Sequence, residues 1–229
     1  MISIIIPTFN EGANIRQLIK YLKEQQNNCS CEIIICDGGS TDKTIEIAMN
    51  SGAAAVISTS KGRSAQMNYG ASIAKADILY FVHADSFPPA SFFTDIENAV
   101  ENGFESGRYR TKFDSKKLIL RLNAFFTRYD LFVCYGGDQT FFITKKIFNI
   151  IGGFKEDMQI MEDYEIITRA KAVAKYKIIK KDALVSARKY DTNSWLKVQR
   201  ANYIIVQMYK KGASQNAMAE KYKQLLMYR

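Results

Sequence analysis

The stretch EIIICDGGSTDKTIEIAMN, residues 32–50, passes from an apolar run through a polar, glycine-containing turn into a helical pattern. Residues 32–36 predict a strand, because β-branched side chains favour strands. The letters DGGS end that strand, and we expect Ser40 or Thr41 to cap a helix that runs to about residue 50. The stretch is therefore a strand–turn–helix unit.

Similar units lie on both sides of this stretch. Apolar runs that predict strands occupy residues 3–6, 54–58 and 77–82, and helical patterns occupy residues 13–26 and 63–75. Strands that alternate with helices of this length are typical of βαβ units and a parallel sheet. We therefore predict an α/β fold with a Rossmann-like, mostly parallel sheet flanked by helices.

The second half of the chain predicts the remaining elements and a helical C-terminal extension. Helical patterns occupy residues 91–101, 116–132, 145–151 and 161–174, and extended patterns occupy residues 106–113, 140–143, 177–179 and 183–187. The residues after 187 are typical of two further helices. We predict one domain over residues 1–187 and a basic helical extension over residues 188–229.

The composition is that of an ordinary globular protein: 229 residues, of which 47% are apolar and 24% charged. The apolar run near the N-terminus is too short for a signal peptide, and charged residues interrupt the apolar segment 118–133. The four cysteines fit neither a zinc pattern nor a disulfide framework. We therefore expect a cytoplasmic protein with reduced thiols.

Positive charge is concentrated in the C-terminal extension. Residues 188–229 contain nine basic and two acidic residues, which is most of the net charge of +9. Such an excess predicts an anionic partner, such as a membrane surface, a nucleic acid or an acidic substrate, although a solvated helix face has the same composition. Because the chain has no RNP, zinc or basic-zipper signature, we expect no nucleic acid.

The extension also carries aromatic and apolar residues, which suggest two further uses for it. The aromatic residues favour contact with an anionic membrane surface at the inner face of the membrane, or with an amphiphilic acceptor. They are Trp195, Tyr203, Tyr209 and Tyr222. The apolar residues favour a homodimer interface instead. They are Ile204, Ile205, Val206 and Met208.

Three polar loops follow three of the predicted strands, at residues 8–11, 37–42 and 83–86. In an open parallel sheet the ligand site lies beyond the carboxyl ends of the strands, so these loops are expected to converge on one site. Asp37 suits hydrogen bonding to ribose hydroxyls or a base. A turn with no ligand uses the same residues, and neither the G-x-G-x-x-G fingerprint nor a Walker lysine is present.

Two acidic positions each allow two interpretations. Asp85, two residues after His83, suits a divalent cation that bridges phosphate oxygens; alternatively, His83 is a buried imidazole and Asp85 caps a turn. The letters MEDYE, residues 161–165, lie at a predicted helix start, where the helix dipole favours carboxylates. A carboxylate directed into a cleft there suits a general base for a hydroxyl nucleophile.

Four motifs in this order resemble the nucleotide-sugar-dependent glycosyltransferases of family 2, which have the GT-A fold. They are SIIIPTFNE near the N-terminus, CDGGSTDKT after the second strand, ADILYFVHADS at the fourth, and GGF followed by MEDYE. The resemblance covers about residues 2–170. The longer stretch GRSAQMNYGASIAKADILYFVHADS is similar to a bacterial subgroup of small, soluble members.

The resemblance implies a nucleoside-diphosphate sugar donor and a Mg²⁺ or Mn²⁺ cofactor. Pro7, Glu11 and Asp37 occupy the positions that surround the base and ribose of the donor in the family. Asp85 occupies the last position of the D-x-D motif, which usually meets the metal. The acceptor is not implied.

The same resemblance implies the catalytic residues. Asp163 matches the aspartate that acts as general base in the inverting reaction, and Glu162 is the neighbouring alternative. Two departures from the family pattern concern the donor. His83 replaces the first aspartate of D-x-D, and QMN at residues 66–68 replaces the A-R-N triplet. Arg63 is then the candidate for a phosphate-facing arginine.

A last candidate follows the final predicted strand. Arg188 lies where related enzymes have a flexible basic segment near the donor diphosphate, and it would stabilise the departing diphosphate; a plain surface cluster is the alternative.

We therefore expect an inverting, metal-assisted glycosyltransferase. A sugar-1-phosphate nucleotidyltransferase is the enzymatic alternative, although it usually has a glycine-rich loop where this chain has PTFNE. A nucleotide-sugar-binding or membrane-adaptor protein that has lost catalysis is the second alternative, because the D-x-D motif is incomplete.

Overall fold

The computed structural model describes residues 1–26, 31–57, 62–136 and 139–226. The strands are β1 (Ile2–Thr8), β2 (Cys31–Asp37), β3 (Ala54–Ile57), β4 (Ile78–Phe81), β5 (Ser86–Phe87), β6 (Ser106–Phe113), β7 (Phe141–Thr144) and β8 (Tyr176–Val185). The first five helices are α1 (Gly12–Glu24), α2 (Thr44–Asn50), α3 (Arg63–Ile73), α4 (Phe92–Glu101) and α5 (Leu118–Phe126). The others are α6 (Lys145–Ile150), α7 (Glu162–Val173), α8 (Lys189–Thr192), α9 (Trp195–Lys210) and α10 (Gln215–Leu225).

The strands form one sheet in the order β3-β2-β1-β4-β7-β6-β8-β5. Strand β1 is parallel to β2 and β4, whereas β7 is antiparallel to its two neighbours and β5 is antiparallel to β8. The described strands are therefore mostly parallel, and helices flank the sheet. The predicted α/β architecture is confirmed.

Strand β1 is the centre of the fold because both of its faces are covered. Ile4 and Ile6 pack into one core, with side chains of α1 and α4, and Ile5 packs into the core on the other face, with side chains of α3 and α7. Thr8 is level with Asp37 at the ends of β1 and β2. The loops that follow these two strands therefore begin side by side.

The side chain of Gln66, on α3, fixes the ends of both strands. Its Nε2 donates hydrogen bonds to the carbonyl oxygens of Thr8, at 2.6 Å, and Cys36, at 2.7 Å. Gln66 is buried, and the backbone of Gly38 passes so close that a Cβ on this glycine would lie 2.9 Å from Nε2. Gln66, the first residue of QMN, thus joins α3 to the sheet edge at which the loops after β1 and β2 begin.

Asn68, two residues further along α3, holds the turn that leads toward α7. It donates to the carbonyl oxygen of Phe154 at 2.9 Å and accepts from the Phe154 amide at 2.8 Å. Gly153 precedes this contact with a φ of +69°. The Asn68 side chain therefore holds the GGF turn against α3 through the backbone atoms of Phe154.

Two predicted helix boundaries were wrong. The helix predicted over residues 116–132 ends at Phe126. The Thr127 hydroxyl donates a hydrogen bond to the Ala124 carbonyl. The buried Arg108 donates to the carbonyls of Thr127 and Tyr129, so these carbonyls do not accept helical hydrogen bonds. A short 3₁₀ turn (Phe132–Cys134) follows.

The other boundary concerns α2, for which we expected Ser40 or Thr41 as the cap. The helix begins at Thr44, and the Asp42 carboxylate accepts the Thr44 amide at 3.0 Å. Ser40 donates to Asp37 instead. The strands predicted at 177–179 and 183–187 form one strand, β8, with a register irregularity opposite Tyr109 and Arg110.

The C-terminal extension packs against the rest of the chain. Val198 and Ala201 of α9 form a small core with Leu120 of α5, and Ile205 and Val206 are buried in the core beneath α7. The last two side chains, which suggested a dimer interface, are thus buried within the chain itself. The boundary after residue 187 stays a prediction. Within the described ranges, no helix is long and apolar enough to cross a membrane.

We expect Gln66→Met to lower the free energy of unfolding by about 1–3 kcal/mol, because two buried hydrogen bonds to backbone carbonyls are lost while the side-chain volume is kept. Urea denaturation followed by circular dichroism measures this. The matched control is Gln17→Met on the exposed face of α1, which should change stability by less than about 0.5 kcal/mol. Equal effects of the two substitutions would contradict the role assigned to Gln66.

Candidate active site

The turn after β2 is held by the carboxylate of Asp37. One oxygen accepts the amides of Gly39, at 2.9 Å, and Ser40, at 2.7 Å; the other accepts the hydroxyls of Ser40, at 2.5 Å, and Thr8, at 3.0 Å. Asp37 is fully buried. Its carboxylate therefore shapes the DGGS turn, and a direct contact with a donor nucleotide stays a prediction.

The loop after β1 is interlocked with this turn. The Asn10 amide donates to the Ser40 hydroxyl at 2.7 Å, and the Asn10 side chain accepts the Thr41 amide at 2.9 Å. Asn10 has a φ of +54°, a conformation that asparagine tolerates better than most residues. The sequence analysis predicted that the loop of residues 8–11 belongs to the site but did not single out Asn10, whose polar side chain in this loop was the signal.

Asp42 is a second residue of this edge that the sequence interpretation missed. Its Oδ2 accepts the Gly12 amide at 3.0 Å, and its other oxygen accepts from Thr44. The hydrogen bond from the Thr44 hydroxyl is the largest contribution that lowers the pKa of Asp42. Asp42 thus connects the start of α1 to the start of α2 and holds the two loops together.

Arg188 joins the first of these loops to the strand end at His83–Ser86. Its Nη2 lies 2.7 Å from Oε1 of Glu11 and 3.0 Å from Oδ2 of Asp85. Both carboxylates are mostly buried, and hydrogen bonding to Glu11 is the main reason why the pKa of Arg188 is raised. Three residues predicted separately therefore meet at the carboxyl edge of the sheet.

His83 and Asp85 lie in a turn directly after β4. The Ser86 amide donates to the His83 carbonyl at 3.0 Å, and the Ser186 amide donates to the Asp85 carbonyl at 3.2 Å. The His83 side chain is half-buried. The turn is thus held by backbone bonds to itself and to the residue after β8.

The residues at this edge can be compared with the needs of a divalent cation. Among the described residues, no three His, Cys, Asp or Glu side chains are grouped so as to hold a metal. Magnesium is commonly bound by one or two carboxylates together with substrate phosphates. Asp85 therefore fits a cation shared with a diphosphate, and the described residues do not fit one held by protein side chains alone.

A cavity of about 520 Å³ lies beside this edge. Arg63, Glu162, Asp163 and Lys189 contribute its charged lining, and apolar side chains from the segment after α5 and from α9 contribute much of the rest. Nη1 of Arg63 lies 2.9 Å from Oε1 of Glu162, whose side chain is almost completely buried. Asp163 is half-buried. The cavity therefore contains carboxylates at the start of α7.

The third carboxylate of MEDYE has a different position. Glu165 accepts from Arg169 at 2.7 and 2.5 Å and pairs with Lys155 at 2.9 Å. Burial raises the pKa of Glu165, but the hydrogen bonds from Arg169 and Lys155 outweigh it, so that the net shift is downward. Arg169 also donates to the Gly153 carbonyl at 2.7 Å. Glu165 thus attaches α7 to the GGF turn.

The candidate residues fall into two groups. Glu11, Asp85 and Arg188 form the first, and Arg63, Glu162 and Asp163 form the second. Consecutive residues connect them, because Arg188 belongs to the first group and Lys189 lines the cavity of the second. Pro7 lies outside both groups, as a buried residue of β1 paired with Cys36.

Several solved structures have a similar fold. Residues 1–349 of S. aureus TarS in complex with UDP-GlcNAc match with a TM-score of 0.68 and 14% identity, over 96% of this chain and 69% of that one. The mannosyltransferase PcManGT from Pyrobaculum calidifontis, in complex with GDP-Man and Mn²⁺, matches with a TM-score of 0.67 and 12% identity, over 98% of this chain and 69% of that one. At these identities the likeness concerns the fold.

A third structure is glucosyl-3-phosphoglycerate synthase from Mycobacterium tuberculosis, in complex with Mn²⁺, UDP-Glc and phosphoglyceric acid. It matches with a TM-score of 0.61 and 16% identity, over 93% of this chain and 80% of that one. The fold predicted from the resemblance, with its helical C-terminal extension, is thereby confirmed.

Sequence comparison adds a relative and a family. A 4,4'-diaponeurosporenoate glycosyltransferase from Staphylococcus haemolyticus (strain JCSC1435) is 37% identical over 91 residues, which is 37% of this chain and about a quarter of that protein. The family model described as glycosyl transferase family 2 matches residues 3–156. That span contains the interlocked loops, the Asp85 turn and the GGF turn, and this chain belongs to glycosyl transferase family 2.

Proposed function

We propose that this protein transfers a sugar from a nucleoside-diphosphate sugar to an acceptor hydroxyl, with inversion at the anomeric carbon. The observation that carries the proposal is the meeting of Glu11, Asp85 and Arg188 at the sheet edge, beside a cavity that contains Asp163. A diphosphate needs cationic and metal-binding groups, and a hydroxyl nucleophile needs a base. The two groups of residues supply one requirement each.

The donor would occupy the edge formed by the loops after β1, β2 and β4. Arg188 lies here between two carboxylates, so an anionic diphosphate would compete with Glu11 and Asp85 for the same guanidinium. Arg188 would then stabilise the negative charge that develops on the leaving diphosphate. Pro7 and Asp37 would shape the part of the site for the base and ribose, the latter through the turn that its carboxylate holds.

Asp85, with His83 beside it, would hold Mg²⁺ or Mn²⁺ together with the diphosphate. When bound, such a cation supplies Lewis-acid stabilisation of the leaving group. The role of His83 depends on whether its imidazole contributes a ligand or only occupies the volume of the missing carboxylate. The first alternative favours Mn²⁺, which accepts nitrogen ligands more readily than Mg²⁺ does.

Asp163 would remove the proton from the acceptor hydroxyl. It is half-buried and lines the cavity, whereas Glu162 is almost completely buried and holds Arg63. This difference favours Asp163 over its neighbour. Glu162 and Arg63 would then fix the start of α7 relative to α3 and direct the aspartate into the cavity.

The extension and the location of the protein complete the proposal. A cytoplasmic protein that touches the inner face of a membrane would use the excess of positive charge in residues 188–229 to approach anionic lipid. A homodimer would have to use side chains other than Ile205 and Val206, which are buried in the chain's own core.

We expect Asp163→Asn to lower kcat by about 10²–10⁴-fold, because the amide cannot accept the proton of the acceptor hydroxyl. The KM for the donor should change little. Steady-state kinetics measure both constants, with a donor and an acceptor that a screen has identified as substrates. Asp157→Asn, on the exposed turn before α7, is the matched control and should keep wild-type activity. Wild-type kcat in Asp163→Asn would assign the base to another residue.

We expect Arg188→Ala to lower kcat/KM for the donor by about 10–100-fold, and Arg188→Lys to restore part of the loss, because lysine keeps the charge but not the fork of donors. Calorimetry measures the contribution of Arg188 to donor binding, and steady-state kinetics measure its contribution to turnover. Arg200→Ala, on the exposed face of α9, removes a charge from the same extension and should have no effect. If Arg188→Ala and Arg200→Ala have the same kcat/KM, Arg188 belongs to a plain surface cluster.

We expect His83→Asp to lower the Mg²⁺ concentration for half-maximal donor turnover by about tenfold, because a second carboxylate strengthens attraction for a hard cation. His83→Asn is the matched control of similar size and without a negative charge. Titration of turnover with Mg²⁺ and with Mn²⁺ measures the change. An unchanged half-maximal concentration in His83→Asp would place residue 83 away from the metal.

A further inference from the structure

Helix α5 carries its apolar stripe on the outside of the molecule. Leu118, Leu122 and Phe125 follow one another at intervals of three or four residues, which places them on one helical face, and Tyr129, in the turn after the helix, continues the stripe beside the Phe125 ring. They are 73, 53, 41 and 46% exposed, respectively. A helix that packs on a core normally directs such a stripe inward.

The inward face of the same helix is less apolar than its outward face. Leu120 and Thr127 are buried, and Asn123 and Ala124 are half-buried between them. Packing against the rest of the chain therefore accounts for Leu120 and does not account for the exposed stripe. Exposed contiguous apolar patches of this kind mark protein–protein or membrane contacts.

Basic residues surround the stripe. Lys116, Lys117, Arg121 and Arg128 are all exposed, and the guanidinium of Arg128 lies 3.7 Å from the centroid of the Phe125 ring. Asp130 near the end of the segment is paired with Lys171 at 2.5 Å. Leucine and aromatic side chains flanked by lysine and arginine are typical of helices that lie in the headgroup region of an anionic bilayer.

The stripe is continuous with the cavity of the candidate active site. Phe126, Leu131 and Val133 come from the same segment; each is about half exposed or more, and each also lines the cavity that contains Asp163. An apolar path therefore leads from the outer surface of α5 to the proposed catalytic base.

We propose that residues 116–133, here named the α5 surface, seat the protein on an anionic lipid bilayer and receive an amphiphilic acceptor. The apolar chain of the acceptor would remain at the α5 surface, and its hydroxyl would reach Asp163; this second part rests on the proposed function. A second copy of the chain is a poorer occupant. A two-fold contact would bring the four basic residues around the stripe toward the same four residues of the partner, and like charges repel.

Flotation with vesicles tests the membrane contact. The wild-type protein should float with vesicles of 70% phosphatidylcholine and 30% phosphatidylglycerol, and weakly or not at all with phosphatidylcholine alone. The double variant Leu122→Ser/Phe125→Ser should reduce the bound fraction by about tenfold, since it removes apolar area from the stripe. Met49→Ser/Ile150→Ser removes two other side chains, each 60% exposed and outside the α5 surface, and should bind like the wild type.

Charge variants separate the α5 surface from the basic extension. Arg121→Glu/Arg128→Glu should abolish binding to the anionic vesicles, whereas Lys20→Glu/Lys180→Glu reverses the same number of exposed charges elsewhere and should weaken it only slightly. Loss of binding in Lys210→Glu/Lys211→Glu, with normal binding in the α5 variants, would assign the contact to the extension and overturn the proposal. So would a wild-type protein that sediments as a dimer, if Leu122→Ser/Phe125→Ser makes it monomeric.

Turnover of a soluble donor distinguishes this inference from the proposed function. The variants at Leu122 and Phe125 should hydrolyse the donor at the wild-type rate, because neither side chain lines the cavity. Turnover without flotation would overturn the α5 surface and leave the proposed transfer reaction intact. Flotation by a protein that neither binds nor hydrolyses any nucleoside-diphosphate sugar would overturn the proposed function and leave the membrane contact standing.

Discussion

The parallel pairing of β1 with β2 and β4 determines where everything else in this protein lies. Because the three strands run in the same direction, their carboxyl ends meet at one edge, and the loops that follow them are neighbours. The amide of Gln66 then fixes that edge by binding the carbonyls of Thr8 and Cys36. A buried amide of this kind favours one arrangement of the surrounding backbone, because its N–H groups must be placed opposite acceptors.

Buried or partly buried charges connect the edge to the rest of the chain. Arg169, held by Glu165, joins α7 to the GGF turn, and Arg63 joins α3 to Glu162 of α7. Arg188 joins the connection after β8 to the loops that follow β1 and β4. Removing the arginine from such a pair leaves a mostly buried carboxylate without that counterion, which is destabilising. The pairs therefore fix relative positions, which a site that aligns a donor with an acceptor requires.

The alternating pattern of the first hundred residues was sufficient to predict β1 to β4, because length and flanking glycines distinguish short apolar strands from longer helical segments. Interactions between distant residues were not visible in the sequence. The end of α5 depends on Arg108, which lies in strand β6. The position of Arg188 depends on Glu11, which lies 177 residues earlier. Asp37 and Glu165 were recognised as acidic residues at element ends, but the structure was needed to show that both bind neighbouring groups. Local patterns identify candidates, and only the fold shows which of them meet.

The connection between β8 and α8 is very short. The strand ends at Val185 and the helix begins at Lys189, so only Ser186, Ala187 and Arg188 lie between them. Arg188 must reach Glu11 and Asp85 while its neighbour lines the cavity. An insertion of one residue here would displace both side chains, whereas the turn at Gly212, between α9 and α10, adjoins neither group. Among homologues, the length of the first connection should therefore be constant, and that of the second should vary.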